Sequence, residues 1–258
     1  SAIRAALLAR EPRDKVMLTR QVARDWRLGR LTFAFDATMP EVPGRPDHPE
    51  LLPPGRMPKR GKAQSERGRI ALWHALAHIE FVAIDLAFDL IGRFGSEFPA
   101  AFTGEWMQVG AEEAMHFALL DRRLRQMGSH YGALPAHDGL WDAARETAGD
   151  ALARLAIVPM VLEARALDIT PATVVRFEGA GDVVTSRILR RIVEDEIRHV
   201  AAGTGWFSWA TNRKGLHAPD HYQMLVKRHF RGCLKPPFND SARRQAGLTE
   251  DFYVALAS

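Results

Sequence analysis

Six side chains of this sequence have the types and spacing of a metal-binding set: Glu80, Glu113 with His116, Glu163, and Glu196 with His199. They stand in the phrases HALAHIE, EEAMH, VLEARALD and EDEIRH, each near the middle of a segment with helical periodicity. On a helix, residues i and i+3 project from one face about 60° apart, so each Glu-x-x-His pair can aim a carboxylate and an imidazole at one point. Hard carboxylate oxygens with two imidazoles suit iron or manganese, and the absence of paired cysteines argues against a structural zinc site. The expected cofactor is two Fe ions, with Mn or a mixed Mn/Fe centre as the alternative.

The spacing also dictates the scaffold. Glu80 to Glu113 is 33 residues, and Glu163 to Glu196 is again 33. The chain therefore reads as two helical hairpins, each with Glu on its first helix and Glu-x-x-His on its second. Packed antiparallel, four such helices bring four carboxylates and two imidazoles into one core. Both pairs sit on apolar faces: Trp106, Val109, Phe117 and Leu120 surround the first, Leu189, Ile192, Val193 and Val200 the second. Burying four carboxylates without cations would be prohibitive, and a pair of cations removes the conflict. A metal-free bundle is the alternative.

Apolar periodicity places the core helices at about 66–93, 97–127, 141–169 and 183–213. Gly95 and Ser96 make the first hairpin turn, and Thr170 to Asp182 the second. Residues 128–142 carry turn formers and no period, so they serve as the long connection between hairpins. Gly110 allows a close helix contact, and Pro159, four residues before Glu163, predicts a kink near the site. Upstream, residues 1–9 and 13–29 read as short helices. Residues 37–65 hold seven prolines and read as an extended strap that buries Val42, Leu51, Leu52 and Met57. Downstream, 219–231 and TEDFYVALA read as short helices covering the bundle end. The organisation is a single domain over 1–258: N-terminal helices and strap (1–65), four-helix core (66–213) and C-terminal extension (214–258).

The phrases HIEFVAIDLA, EARALD and DEIRHV resemble the ferritin-like superfamily of di-iron and di-manganese carboxylate bundles, and within it the uncharacterised family catalogued as domain of unknown function 455. The superfamily pattern covers residues 66–213 and the closer resemblance most of the chain. The fold it implies is an all-α, ferritin-like four-helix bundle with N-terminal and C-terminal helical extensions. On that resemblance Glu113 and Glu196 are the carboxylates of the motif helices, Glu80 and Glu163 those of the other two, and one or two of the four bridge the metals. DEIRH is similar to the D-E-x-R-H phrase of O2-activating members. It implies that Asp195 supports His116 and Glu112 supports His199 through the free ring nitrogens, with a solvent-facing acid as the alternative for each.

The resemblance implies an O2-activating oxidoreductase, hydroxylase-like or oxidase-like, acting with O2 and an external electron donor on a small-molecule substrate. Storage ferritins lack the second histidine, which lowers ferroxidase or iron-storage activity to an alternative beside manganese-catalase-like chemistry and a non-catalytic metal-stabilised bundle. A tRNA-hydroxylating branch exists too, and Arg56, Lys59, Arg60, Lys62, Arg67 and Arg69 precede the first core helix. Such a cluster can bind phosphates. No aromatic-interleaved RNA motif accompanies it, so nucleic acid ranks below a small substrate.

His74 and His78 point away from Glu80 by helical geometry and are expected to hydrogen-bond to another element. Trp73 and Trp106, each seven residues before a ligand Glu, are expected to pack in the core. The chain has 258 residues, 47% hydrophobic and 26% charged, enough for a substantial core. A net charge of +4 and a pI near 9.5 permit an acidic partner without requiring one. Cys233 is the single cysteine, so no intrachain disulfide forms. With no signal-peptide run and no membrane-length apolar stretch, the expectation is a cytoplasmic protein that does not enter a membrane; its oligomeric state is left open, a homodimer being one reading.

Overall fold

The computed structural model describes residues 1–58 and 65–257. Their regular structure is helical, with no strand among the described residues. The chain divides into two compact units, Ser1–Asp142 and Ala143–Ser258.

The first unit begins with α1 (Ala2–Leu8) and α2 (Pro12–Arg27), then the strap. Of the expected strap anchors, Val42 and Leu51 are exposed, and Leu52 and Met57 only half-buried. Met39, Pro43 and Pro49 are buried instead, because the backbone fixes the strap's register. Gly44 N donates to Leu7 O at 2.8 Å, and Arg93 Nη2 donates to Pro40 O at 2.7 Å. These bonds decide which side chains face inward. Lys59, Arg60 and Lys62 of the basic cluster lie outside the described residues; Arg56 and Arg67 are exposed.

Helix α3 (Glu66–Phe94) opens where Ser65 Oγ accepts from Gly68 N at 3.0 Å, with Glu66 favourably placed in the first turn. Every residue from Glu80 to Ile91 is buried, so the middle of α3 is a core helix on all sides. A short 3-10 turn at Gly95–Glu97 leads to α4 (Ala100–Gln126), which packs against α3 and α2. At their contact, a Cβ on Gly110 would lie 2.6 Å from Phe88 Cε2. Gly110→Val is therefore expected to cost about 2–3 kcal/mol by overpacking against a ring with nowhere to go, read as a lower urea midpoint. Lys15 of α2, wholly buried, donates to Asp85 Oδ1 of α3 at 2.5 Å and to Leu7 O at 3.0 Å. Arg45 of the strap pairs with the other Asp85 oxygen. This buried triad ties α1, α2, α3 and strap together.

Helix α5 (Gly139–Glu146) spans the boundary between the units, and α6 (Ala151–Ile157) starts at Asp150, whose Oδ1 accepts from Leu152 N and Ala153 N. The expected kink at Pro159 is instead a π-helical turn, Val158–Glu163, continuing into α7 (Ala164–Gly179). A proline withholds one N–H from the ladder, and a widened turn accommodates that loss without ending the helix. Gly203 of the opposing helix makes the room: a Cβ there would lie 2.5 Å from Pro159 Cβ and Cγ.

The expected turn at 170–182 is helical as far as Gly179, although Pro171 lies inside α7. The reason is visible in the hydrogen bonds. Pro171 leaves the Leu167 carbonyl without its helical donor, and Asn239 Nδ2 takes that carbonyl at 3.1 Å. Helix α8 (Val183–Arg213) then starts at Asp182, whose Oδ1 accepts from Thr185 N at 3.0 Å. Helices α9 (Ala218–His229), α10 (Asp240–Gln245) and α11 (Glu250–Tyr253) complete the second unit. Sequence periodicity did not reveal α10.

Candidate metal centre

In the first unit, α3 and α4 bring Glu80, Glu113 and His116 together. His116 Nδ1 lies 3.1 Å from Glu80 Oε2 and 3.4 Å from Glu113 Oε2. One ligand atom from each of the three lies within 4.8 Å of the others. All three are buried, His116 completely. The Glu80 carboxyl is held well above its ordinary value of 4.5, first by burial and then by the Glu113 carboxylate facing it, with the His116 ring opposing both. Two buried carboxylates and an imidazole form a donor set that could hold a hard cation.

The sign of this shift gives a pH prediction. An unfolded Glu80 ionises near 4.5, whereas the folded one keeps its proton to higher pH. Above 4.5 the folded chain thus binds more protons, and its stability falls as pH rises toward the folded value. Thermal unfolding in the presence of chelator should show Tm declining over that window, and Glu80→Gln should flatten the decline.

In the second unit, Glu196 and His199 sit one turn apart on α8, with His199 Nδ1 3.5 Å from Glu196 Oε1 and both side chains buried. Glu163 is the last residue of the π turn, which packs against α8, and is half-buried. Glu163 is thus the most exposed of the six residues.

The flanking acids differ in their surroundings. Asp195 is fully buried; its Oδ2 accepts from Arg191 Nε at 2.8 Å and its Oδ1 is paired with Arg198. Glu112 is half-buried and accepts from Gln108 Nε2 at 2.9 Å. His74 Nε2 accepts from Gly132 N at 2.9 Å, and His78 Nδ1 lies 2.9 Å from Tyr131 Oη. Both rings thus bond to the connection after α4. Burial lowers His74 to about 4 and His78 to about 3, so both are neutral at physiological pH. Trp73 and Trp106 are 1% exposed and pack in the core.

Tyr131 escaped sequence reasoning, because it lies in a segment without periodicity. It is buried with ring centroids 5.2 Å from Phe81 and 5.0 Å from Phe117, the residues that follow Glu80 and His116. No helix among the described residues is long and apolar enough to cross a membrane.

These features define an all-helical protein with buried Glu/His groups in each of its two units. The chain belongs to the family described as "Protein of unknown function (DUF455)", which it matches over residues 8–254. It is similar to an "Uncharacterized protein" of Haemophilus influenzae, 39% identical over 211 residues that cover 80% of this chain and 73% of the relative. No solved structure matches it.

Proposed function

We propose that this chain is a ferritin-like, dinuclear metal carboxylate protein and an O2-dependent oxidoreductase. The observation that supports the reading is the buried cluster of Glu80, Glu113 and His116, together with the same Glu-x-x-His device on α8. In this reading Glu80, Glu113 and His116 hold one cation and Glu163, Glu196 and His199 the other. In the same reading the two hairpins are those of a ferritin-like fold.

Two iron ions, when bound, supply the redox chemistry toward O2; manganese is the alternative metal. The residues do the rest. Four carboxylates offset the cationic charge, and the imidazoles act as neutral donors. Trp73 and Trp106 of α3 and α4 help keep water from the first half-site. Glu163, half-buried at the end of a widened turn, would be a carboxylate ligand of the second cation. In a hydroxylation, one oxygen atom of O2 enters a substrate C–H bond and the other leaves as water. Two electrons from an external donor and two protons complete the balance.

The test is to load the protein anaerobically with Fe(II) and mix it with O2 while following absorbance and oxygen consumption. The expected result is oxidation that saturates at two irons per chain. Oxidation continuing far beyond two, with growth of a ferric mineral, would instead mark an iron store, and no oxidation at all would remove the oxidoreductase reading.

A further inference from the structure

Helix α2 carries cations that neither the metal centre nor the fold uses. At about 100° per residue, Arg13, Arg20, Arg24 and Arg27 fall within about 60° of one another around its axis and span about 21 Å of its length. All four are exposed, and none pairs with a carboxylate among the described residues. The acids of the helix lie off this stripe: Asp14 and Asp25 are at least about 100° round from Arg13, and Asp25 is paired with Arg30 at 3.2 Å. The opposite face, with Lys15, Thr19 and Val22, is buried. Thus α2 is held by its inner face and presents a ridge of positive charge. Arg20 with Arg24, and Arg24 with Arg27, stand at the spacings where like charges repel, a modest cost that a polyanion removes.

Apolar surface lies at both ends of the stripe. Just beyond its C-terminal end, Phe33 is 44% exposed, its ring 6.0 Å from that of Trp26 and 5.0 Å, edge-on, from that of Phe35. Phe35 seats against Gly95, where a Cβ would collide with its ring, and Trp26 packs over Gly104 of α4. Two anchored rings therefore hold a third one out in solvent. At the other end, a groove of about 450 Å³ between α2 and α4 has Val16 and Phe117 in its lining, flanked by the exposed Arg13 and Arg122. Of the acids beside it, Asp121 already accepts from Arg125 Nε at 2.9 Å and from Tyr131 N at 3.1 Å, which leaves Glu11. A row of arginines ending in an exposed ring suits a strand whose phosphates meet the cations while an unpaired base stacks on the ring. A duplex keeps its bases stacked inside, whereas RNA displays them in single-stranded loops and ends. An anionic membrane would instead want a continuous apolar face to bury, and arginines interrupt this one.

We infer that the first unit binds single-stranded RNA along α2, with phosphates on Arg13, Arg20, Arg24 and Arg27 and a base stacked on Phe33. The surface is separate from the basic cluster before α3 and does not depend on the metal reading. The test is fluorescence anisotropy of the full chain with a labelled oligouridylate of about 20 nucleotides, over salt from about 50 to 200 mM. Saturable binding is expected at the low-salt end, with a slope of log affinity against log salt of about −3, the value for four phosphates neutralised on a single strand. Arg24→Gln/Arg27→Gln should weaken binding at least about tenfold and bring the slope to about −1.5. Phe33→Ala should weaken it at least about fivefold with the slope unchanged, which loss of charge alone does not produce. All three residues are exposed, so the thermal midpoint should hold in both variants. Arg190→Gln, an equal loss of charge on α8, should leave affinity and slope as they are. No binding at about 50 mM salt, equal binding of a DNA duplex of the same length, wild-type affinity in either α2 or Phe33 variant, or binding to anionic lipid vesicles in place of RNA would overturn the surface.

Discussion

His199→Ala is expected to lower the metal bound by this protein from two ions per chain to one or fewer, with the affinity of the second half-site falling by more than about a hundredfold. Loss of a group that merely supports a ligand costs 10–100-fold, and His199 is assigned as a ligand itself. Its ring is wholly buried beside Glu196 on α8, so no solvent-borne donor replaces it. Glu163→Ala should act in the same direction. His74→Ala should keep two ions, because His74 Nε2 is committed to the backbone of Gly132. Equilibrium dialysis with metal analysis separates these outcomes, and full occupancy in both ligand variants would refute the assignment.

The second large effect concerns the fold of the C-terminal unit. Asp168 of α7 accepts from Arg243 at 2.8 Å and 2.7 Å, one bond to each carboxylate oxygen, and from Asn239 N at 3.0 Å. Both side chains are buried, with the guanidinium stacked 4.5 Å from the Tyr253 ring. Asp168→Ala leaves that cation buried without its counter-charge, which costs about 3–5 kcal/mol, a large part of the roughly 5–15 kcal/mol that holds a typical protein folded. Urea unfolding should show the loss directly. Replacing Asp168 and Arg243 together with leucine should recover most of it, since removing both charges leaves nothing stranded.

Helices α3, α4 and α8 were legible from local sequence because their signals agree. Ser65 and Asp182 cap the starts of α3 and α8, and apolar periodicity runs unbroken through all three helices. For the same reason Glu113 with His116, and Glu196 with His199, fall where an i,i+3 pair must fall, and Glu80 meets the first pair across one hairpin. The segment between Asp150 and Gly179 was not legible, because what rescues its prolines is remote. Gly203 gives Pro159 its room, and Asn239, 72 residues beyond Leu167, takes the carbonyl that Pro171 strands. The inward residues of the strap were hidden likewise, since backbone bonds to Leu7 and from Arg93 set their facing. Tyr131 carries no periodic signature, although its Oη lies 2.9 Å from His78 Nδ1.

The central claim, that paired carboxylates and imidazoles hold two cations, is tested most directly by anaerobic titration of chelator-treated protein with Fe(II), counting ions bound per chain in the wild type and in a Glu80→Gln/Glu196→Gln double variant. The account predicts two tightly held ions in the wild type and neither in the variant. No bound iron and no bound manganese in the wild type, or two ions retained by the variant, would contradict it.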